Sequence, residues 1–355
     1  MNRILNLFVV VAIGFSTSVF ATGLSSKLKT QIERKLRNTY SGYSMASSIR
    51  IEDDEIFSYY GGKGVSHTTK FLLASVTKSI NASVFAKYME RGLLNEDEPI
   101  WDYLPESFKS RVSDDRWKTV EIRNLIHHTS GIEDYLNHIN LGGFLSTPHT
   151  PEEILLRVSK KIRFDPDAKL EYSNTNYLIM AMILEKVSGM TFEEVISEEV
   201  TGPLQMQNSG NLKAYGGGVR GRSVGIHPIN FKGIGDIYST TDDLMLFLGA
   251  LDTPGYLSAP WLEKIFQYDP KCGRNGPGDR CKRYGFGFSI RDGLINGYTM
   301  VVHQGHFNRV SNVVAKVLGT KLNLVILSDK RSVEGEDVAT ELLSWIANEL
   351  GMQKN

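Results

Sequence analysis

The chain has 355 residues, enough to bury one large core, and its 40 lysines and arginines balance 40 aspartates and glutamates. With no net field to gather phosphate backbones or acidic lipid, nucleic acid is excluded as an expected partner and a general polyanion-binding role is disfavoured.

Met1-Asn2-Arg3 leads into an apolar stretch from Ile4 to Phe15, followed by small residues up to Ala21. A positive start, a short apolar run and a small-residue cleavage site describe a secretory leader, residues 1–21, with cutting expected after Ala21. The run falls short of the ~20 residues a span needs. No cysteine follows it to carry a lipid, and nothing later is apolar enough to cross a bilayer. The expected product is secreted or periplasmic, free of a membrane span once the leader is removed, and monomeric.

Leu24, Leu28, Ile32 and Leu36 then form one helical stripe running to Tyr40. Strands are predicted over Ser44 to Ile51 and Ile56 to Tyr60, around the turn Glu52-Asp53-Asp54-Glu55. Ser75 opens a predicted apolar helix through Ile80, Val84, Phe85 and Tyr88 to Arg91-Gly92, and the signals stay mostly helical or loop-like to about Leu251. Within that stretch a helix spans Asn176 to Ser188, stopped by Gly189, and Thr191 opens the next. Cys272 and Cys281 bracket a glycine-rich segment. In an oxidising compartment they are expected to close a structural disulfide, which stabilises by about 2.5–3 kcal/mol on the chain-entropy picture; a metal pair is the alternative, but no nearby histidine completes its ligand set.

Beyond the cysteines, strands are predicted over Tyr284 to Arg291, Tyr298 to His303, Val310 to Leu318 and Leu322 to Ser328, and Val338, Leu342, Ile346 and Leu350 mark a final helix. This order makes an α+β protein, an antiparallel sheet flanked by the N- and C-terminal helices with a large, mainly helical insert. Residues 22–355 are read as a single two-lobed domain, the sheet lobe about 22–70 and 282–355 and the helical lobe about 71–281.

Three short patterns carry chemistry. In Ser75-Val76-Thr77-Lys78 a helical spacing of three brings the Lys78 amine and the Ser75 hydroxyl to one face, which activates a serine for attack on a carbonyl. Ser26 to Lys29 repeats the spacing in a polar segment, and Ser75 also reads as a helix cap. Tyr172-Ser173-Asn174 offers a phenol for proton transfer and an amide to orient a carbonyl, although Tyr135-Leu136-Asn137 has the same form and a tyrosine capping a sheet edge is the alternative. His303-Gln304-Gly305-His306 ends a strand, with Gly305 permitting close approach of a substrate to the strand edge and His303 a proton relay or wall donor. Residues three apart on a strand face opposite ways, so His303 and His306 are not expected to share a metal, and no cofactor is implied.

In this order the three patterns resemble the serine β-lactamase and penicillin-binding protein family, closest to its class C β-lactamase, D-aminopeptidase and esterase branch. Further stretches similar to that branch are Leu125-Ile126-His127-His128-Thr129-Ser130-Gly131-Ile132, Gly202-Pro203-Leu204-Gln205-Met206, the segment Gly235 to Leu244, and Tyr284-Gly285-Phe286-Gly287-Phe288. The resemblance implies a β-lactamase/transpeptidase-like fold, Ser75 as acylated nucleophile, Lys78 as its proton partner, Tyr172 as second base and Asn174 as carbonyl-orienting donor. It also puts His303 where lysine or histidine is usual, and the backbone N–H groups of Ser75 and His306 as the oxyanion hole, while His127 and His128 stabilise their loop. Gln304 replaces the family's hydroxyl residue and is expected to alter the pocket floor, and Arg309 is a spare cation for a carboxylate or a solvated arginine. The implied activity is that of an exported serine hydrolase on a small-molecule ester, peptide or β-lactam-like substrate, of esterase, D-amino-acid peptidase or DD-carboxypeptidase type. A β-lactamase proper and a catalytically weak penicillin-binding or sensing protein are the alternatives.

Overall fold

Strand-forming residues from both ends of the chain meet in one antiparallel sheet. The computed structural model describes residues 23–52, 55–137, 141–158, 160–212, 218–221, 227–268, 283–331 and 333–354. The leader, Asp53-Asp54 and both Cys272 and Cys281 lie outside the described residues. In chain order the described strands are β1 (Met45–Glu52), β2 (Glu55–Gly61), β3 (Lys70–Leu72), β4 (Gly210–Asn211), β5 (Val219–Arg220), β6 (Ile237–Ser239), β7 (Arg283–Tyr284), β8 (Ser289–Ile295), β9 (Tyr298–Phe307), β10 (Val310–Val317) and β11 (Asn323–Ser328). Seven of them form the main sheet in the order β2-β1-β11-β10-β9-β8-β7.

The central strands β10 and β11 are buried along their whole length because both sheet faces are covered. Their side chains sort by the period of two. Val313, Ala315, Leu324 and Ile326 pack with Leu28, Ile32 and Leu36 of the N-terminal helix Ser26–Thr39 and Val338, Leu342 and Ile346 of the C-terminal helix Gly335–Glu349. Val314, Val325 and Leu327 face the opposite way, into the core shared with the helical part. Each such aliphatic side chain stabilises the fold by roughly 1.5–3 kcal/mol on burial. Among the described residues no helix is long and apolar enough to cross a membrane.

Three details differ from the sequence reading. Ser75 does not open the α-helix: Ala74–Val76 is a 3-10 turn, Ala74 has φ +48°, and the α-helix runs Thr77–Glu90. A left-handed alanine just before Ser75 lets the chain turn sharply from β3 into the helix. The predicted strand Tyr284 to Arg291 is broken into β7 and β8, because the loop at Gly287 presses on the helix: a Cβ there would lie 2.6 Å from the Lys78 carbonyl oxygen. The Ser79 hydroxyl donates to the Gly287 carbonyl at 2.5 Å. A second, four-stranded sheet, β4-β6-β3-β5, was not anticipated, since its strands are only two or three residues long and leave no periodic signal.

The main sheet fixes the Ser75 turn through two contacts. The Asn312 amide on β10 donates to the carbonyls of Leu72 (2.8 Å) and Leu73 (3.1 Å), and its oxygen accepts the Ser328 N–H at 3.0 Å. Gly305 on β9 lies so close that a Cβ would stand 2.1 Å from the Leu73 carbonyl oxygen. Gly305→Ala is therefore expected to destabilise by about 1–3 kcal/mol through overpacking. Gly143→Ala, where a Cβ meets nothing within 4 Å, serves as the control and should stay within about 0.5 kcal/mol in the same urea titration.

Candidate active site

The turn that carries Ser75 feeds directly into the helix that carries Lys78, so their three-residue spacing becomes a contact. Lys78 Nζ donates to Ser75 Oγ at 3.1 Å and to the Ile234 carbonyl at 3.2 Å. Lys78 is fully buried, with the Tyr172 ring centroid 5.0 Å and the Tyr177 centroid 6.0 Å from its nitrogen. Burial disfavours the ammonium and lowers its pKa to about 7, while the Asp134 carboxylate pulls it upward.

Tyr172 stands beside this pair. Burial pushes its phenol above the usual range, and a hydrogen bond with Ser75 opposes that push. The residue keeps 40 % of its surface exposed, so solvent weakens the effect of burial. Asn174 begins the helix Asn174–Ser188, two residues earlier than its apolar pattern suggested. Its Nδ2 donates to Asp134 Oδ2 at 2.7 Å. The segment bearing Asp134 is stapled to the same helix start, because Thr175 Oγ1 accepts the Tyr135 N–H (2.9 Å) and donates to the Glu133 carbonyl (2.6 Å).

His303 is buried with both ring nitrogens occupied. Nδ1 lies 2.8 Å from the Gln304 carbonyl, which only accepts, so Nδ1 carries the proton; Nε2 then accepts the Tyr284 hydroxyl at 2.9 Å. Burial and the nearby Lys78 charge lower its pKa to about 3. His303 is thus a neutral, locked wall group, which removes the proton-relay reading.

Alternation along β9 turns the neighbouring residues the other way. Gln304 Oε1 accepts the Glu336 N–H at 3.1 Å, at the start of the C-terminal helix, and His306 Nε2 donates to the Val333 carbonyl at 2.9 Å. The expectation that the Gln304 amide alters the pocket floor is therefore corrected: it caps a helix on the far face.

The His306 backbone does face the site. Asn308-Arg309 form a two-residue turn, so Phe307 and Val310 exchange hydrogen bonds and the next pair, His306 opposite Ser311, does not. The N–H and C=O of His306 point instead to the edge beyond Val302, where pairing with β8 has ended. That edge, Ser75 and Asn174 line one cleft of about 620 Å³ free of protein atoms, with apolar walls from Leu72, Leu136, Leu212, Pro228, Phe231 and Phe307.

The remaining sequence candidates are structural. Tyr135 is buried with its hydroxyl on the Asn230 carbonyl (2.6 Å), and Lys29 pairs with Glu55 at 3.6 Å. His127 Nδ1 donates to the Tyr284 carbonyl at 2.8 Å, and His128 Nδ1 accepts the Ser173 N–H at 3.2 Å. His128 packs against the rings of Tyr172, Tyr177 and Tyr284, with centroids 4.4, 5.2 and 4.7 Å away. Sequence reasoning did not single out Asp134, Tyr284 and Asn312, which act on the site through other residues. Their only signal was that Asp134 and Tyr284 lie in or beside stretches already marked as family-like.

The sequence profile of the Beta-lactamase family matches residues 30–348. The chain belongs to the beta-lactamase family. Penicillin-binding protein 4* of Bacillus subtilis (strain 168) is 25% identical over 292 residues, covering 73% of this chain and 60% of the relative. Esterase EstB of Burkholderia gladioli is 29% identical over 163 residues, covering 43% and 41%. The D-stereospecific amidohydrolase from Streptomyces sp. superposes with a TM-score of 0.75 over 89% of this chain and 98% of that one, at 19% identity. The matches span 55–60% of the length of curated relatives such as the penicillin-binding proteins. The family's β-lactamase/transpeptidase-like α+β fold accounts for the antiparallel sheet described above.

In this family member Tyr284→Phe removes the donor to buried His303 Nε2 and leaves an unpaired acceptor. A loss of about 1–3 kcal/mol in urea unfolding is expected.

Proposed function

We propose that this protein is an exported serine hydrolase that cleaves an ester or amide through an acyl-enzyme on Ser75. The observation that carries the reading is the 3.1 Å contact between the Ser75 hydroxyl and a buried amine whose pKa is near 7. At neutral pH an appreciable fraction of Lys78 is the free amine, and it takes the Ser75 proton as Oγ bonds to the substrate carbonyl carbon. The carbonyl electrons move onto oxygen, which the N–H groups of Ser75 and His306 receive. On collapse the C–O or C–N bond breaks, the leaving group takes the Tyr172 proton, and the Lys78 ammonium reprotonates Tyr172. Water repeats the sequence on the acyl-enzyme and releases the acid and free Ser75. Asn174, held by Asp134, orients the substrate amide or ester.

Esterase or D-amino-acid peptidase action is favoured over β-lactam turnover. The apolar cleft walls suit an uncharged acyl or side-chain group, and His303 is neutral and offers no cation to a β-lactam carboxylate. Relatives named as an esterase and a D-stereospecific amidohydrolase fit that range. Residues 1–21 act as the export leader in this reading, and a mature chain starting at Thr22 is its mark.

A fluorophosphonate probe should add one mass equivalent to the wild type at Ser75 and none to Ser75→Ala; an unlabelled, folded wild type would falsify the proposal. The rate, kcat/KM against pH, should rise through about 7 as Lys78 loses its proton, and Asp134→Asn should move that limb to lower pH because the carboxylate that raises the amine's pKa is gone. Lys78 and Tyr172 titrate as a pair, so the limb reports both.

Stability carries the same sign. The folded pKa of Lys78 lies below the unfolded value, so between about 7 and 10.5 the unfolded chain binds the extra proton and stability climbs with pH. Lys78→Met should abolish labelling yet raise the melting temperature near pH 6, with the gain fading toward pH 10.5.

A further inference from the structure

A second hollow, of about 1310 Å³ free of protein atoms, opens near the catalytic cleft and gathers several cations on its walls. Arg37 of the N-terminal helix, Lys63, Arg220 of β5 and Arg309 of the β9–β10 turn line it, against one carboxylate among the described residues, Asp329. Asp329 already accepts the Ser44 N–H at 2.8 Å, and Arg220 donates to the Lys63 carbonyl at 3.2 Å. Among the described residues none of these four cations forms an ion pair with a carboxylate. Tyr40 lines the same hollow, and its buried hydroxyl has no hydrogen-bond partner among the described residues. In a chain with no net charge, such a concentration of unpaired guanidinium and ammonium groups in a concavity is a site for phosphate or carboxylate oxygens.

The hollow lies close to the catalytic cleft, across the β9–β10 hairpin. Arg309 lies two residues after Phe307, which walls the cleft, and Arg220 pairs with Phe71, four residues before Ser75. Extended backbone covers at most about 14 Å over that distance. Gly221, which lines the hollow, packs so tightly on the hairpin that a Cβ would meet Val310 Cγ2 at 2.4 Å. We infer that the hollow holds an anionic segment of the substrate, bearing phosphate or carboxylate groups, while the ester or amide to be cut lies at Ser75. The concave shape fits a chain entering it better than a flat lipid surface. The link to substrate rests on the hydrolase reading; the anion site itself does not.

Titration calorimetry of the full chain at low ionic strength tests the site with tripolyphosphate. The double variant Arg37→Ala/Arg309→Ala should weaken binding at least tenfold, and Arg34→Ala, on the same helix but outside the hollow, should leave it unchanged. No binding, or equal binding by the double variant, overturns the anion site. So does binding to phosphatidylglycerol vesicles without binding to tripolyphosphate. For the substrate link, the acetyl ester of tetraethylene glycol is compared with and without a terminal phosphate. The phosphate should lower KM at least tenfold in the wild type and not in the double variant, with kcat and turnover of the neutral ester unchanged. Equal KM values for the two esters overturn the link. Failure of Ser75 to label with the fluorophosphonate would instead remove the hydrolase reading and leave the calorimetric result standing.

Discussion

The contact between Gly305 and the Leu73 carbonyl sets the geometry on which the rest depends. A side chain at 305 would push β9, and with it His306, away from the Ala74–Val76 turn that carries Ser75. Asn312 adds a directional restraint to this steric one, since its amide holds the Leu72 and Leu73 carbonyls while its oxygen is held by the Ser328 N–H. The strained Ala74 backbone is thus braced by central strands buried on both faces. A site mounted on a rigid sheet keeps its donors aimed without a bound ligand to order them.

That rigidity matters because the site buries a titratable amine. Lys78 loses solvent and gains two acceptors, Ser75 Oγ and the Ile234 carbonyl, together with two aromatic faces. Its neighbours are arranged to remain neutral. His303 is held by Tyr284 and Gln304, and His128 takes the Ser173 N–H on Nδ1, while burial lowers the pKa of both well below the usual histidine value. Two imidazolium ions in this space would repel the ammonium, so keeping them neutral leaves Lys78 as the group in the cluster that changes charge near neutrality. Asp134 opposes burial from the other side, and the amine's pKa settles at about 7.

Much of this was legible because it rests on local pattern. The stripes Leu28-Ile32-Leu36 and Val338-Leu342-Ile346 repeat with helical period, and both helices cover one face of the sheet. Ser75 and Lys78 are three residues apart, so a turn of either helical type brings them together. What escaped the sequence were contacts that the chain makes at long range or with no period. Gln304 reads as a pocket residue beside His303, yet the period of two along β9 sends it to Glu336 on the opposite face. The Tyr284-to-Phe288 stretch reads as strand by composition, but the approach of Gly287 to the Lys78 carbonyl breaks it into a loop. Asp134 and Asn312 carry no motif of their own, and their importance arises only once the fold sets them against Asn174 and the Leu72-Leu73 carbonyls.

Charge shows the same limit in another form. A balance of 40 basic and 40 acidic residues rules out a strong overall field, but says nothing of where the charges gather. Arg37, Lys63, Arg220 and Arg309 are scattered through the sequence, and converge because the N-terminal helix, the β5 segment and the β9–β10 hairpin meet at one end of the sheet. Elsewhere many of the cations are neutralised in place, as in Arg91 with Glu199, Arg116 with Asp114 and Arg291 with Glu336. Pairing cancels a charge within a few ångströms, whereas unpaired cations around a concavity add their potentials there and lose less to solvent screening than they would on a convex face. On the proposed reading the apolar cleft next to Ser75 and the cationic hollow beyond the hairpin are complementary, the first selecting for an uncharged group at the reacting carbonyl and the second for charge held at a distance from it.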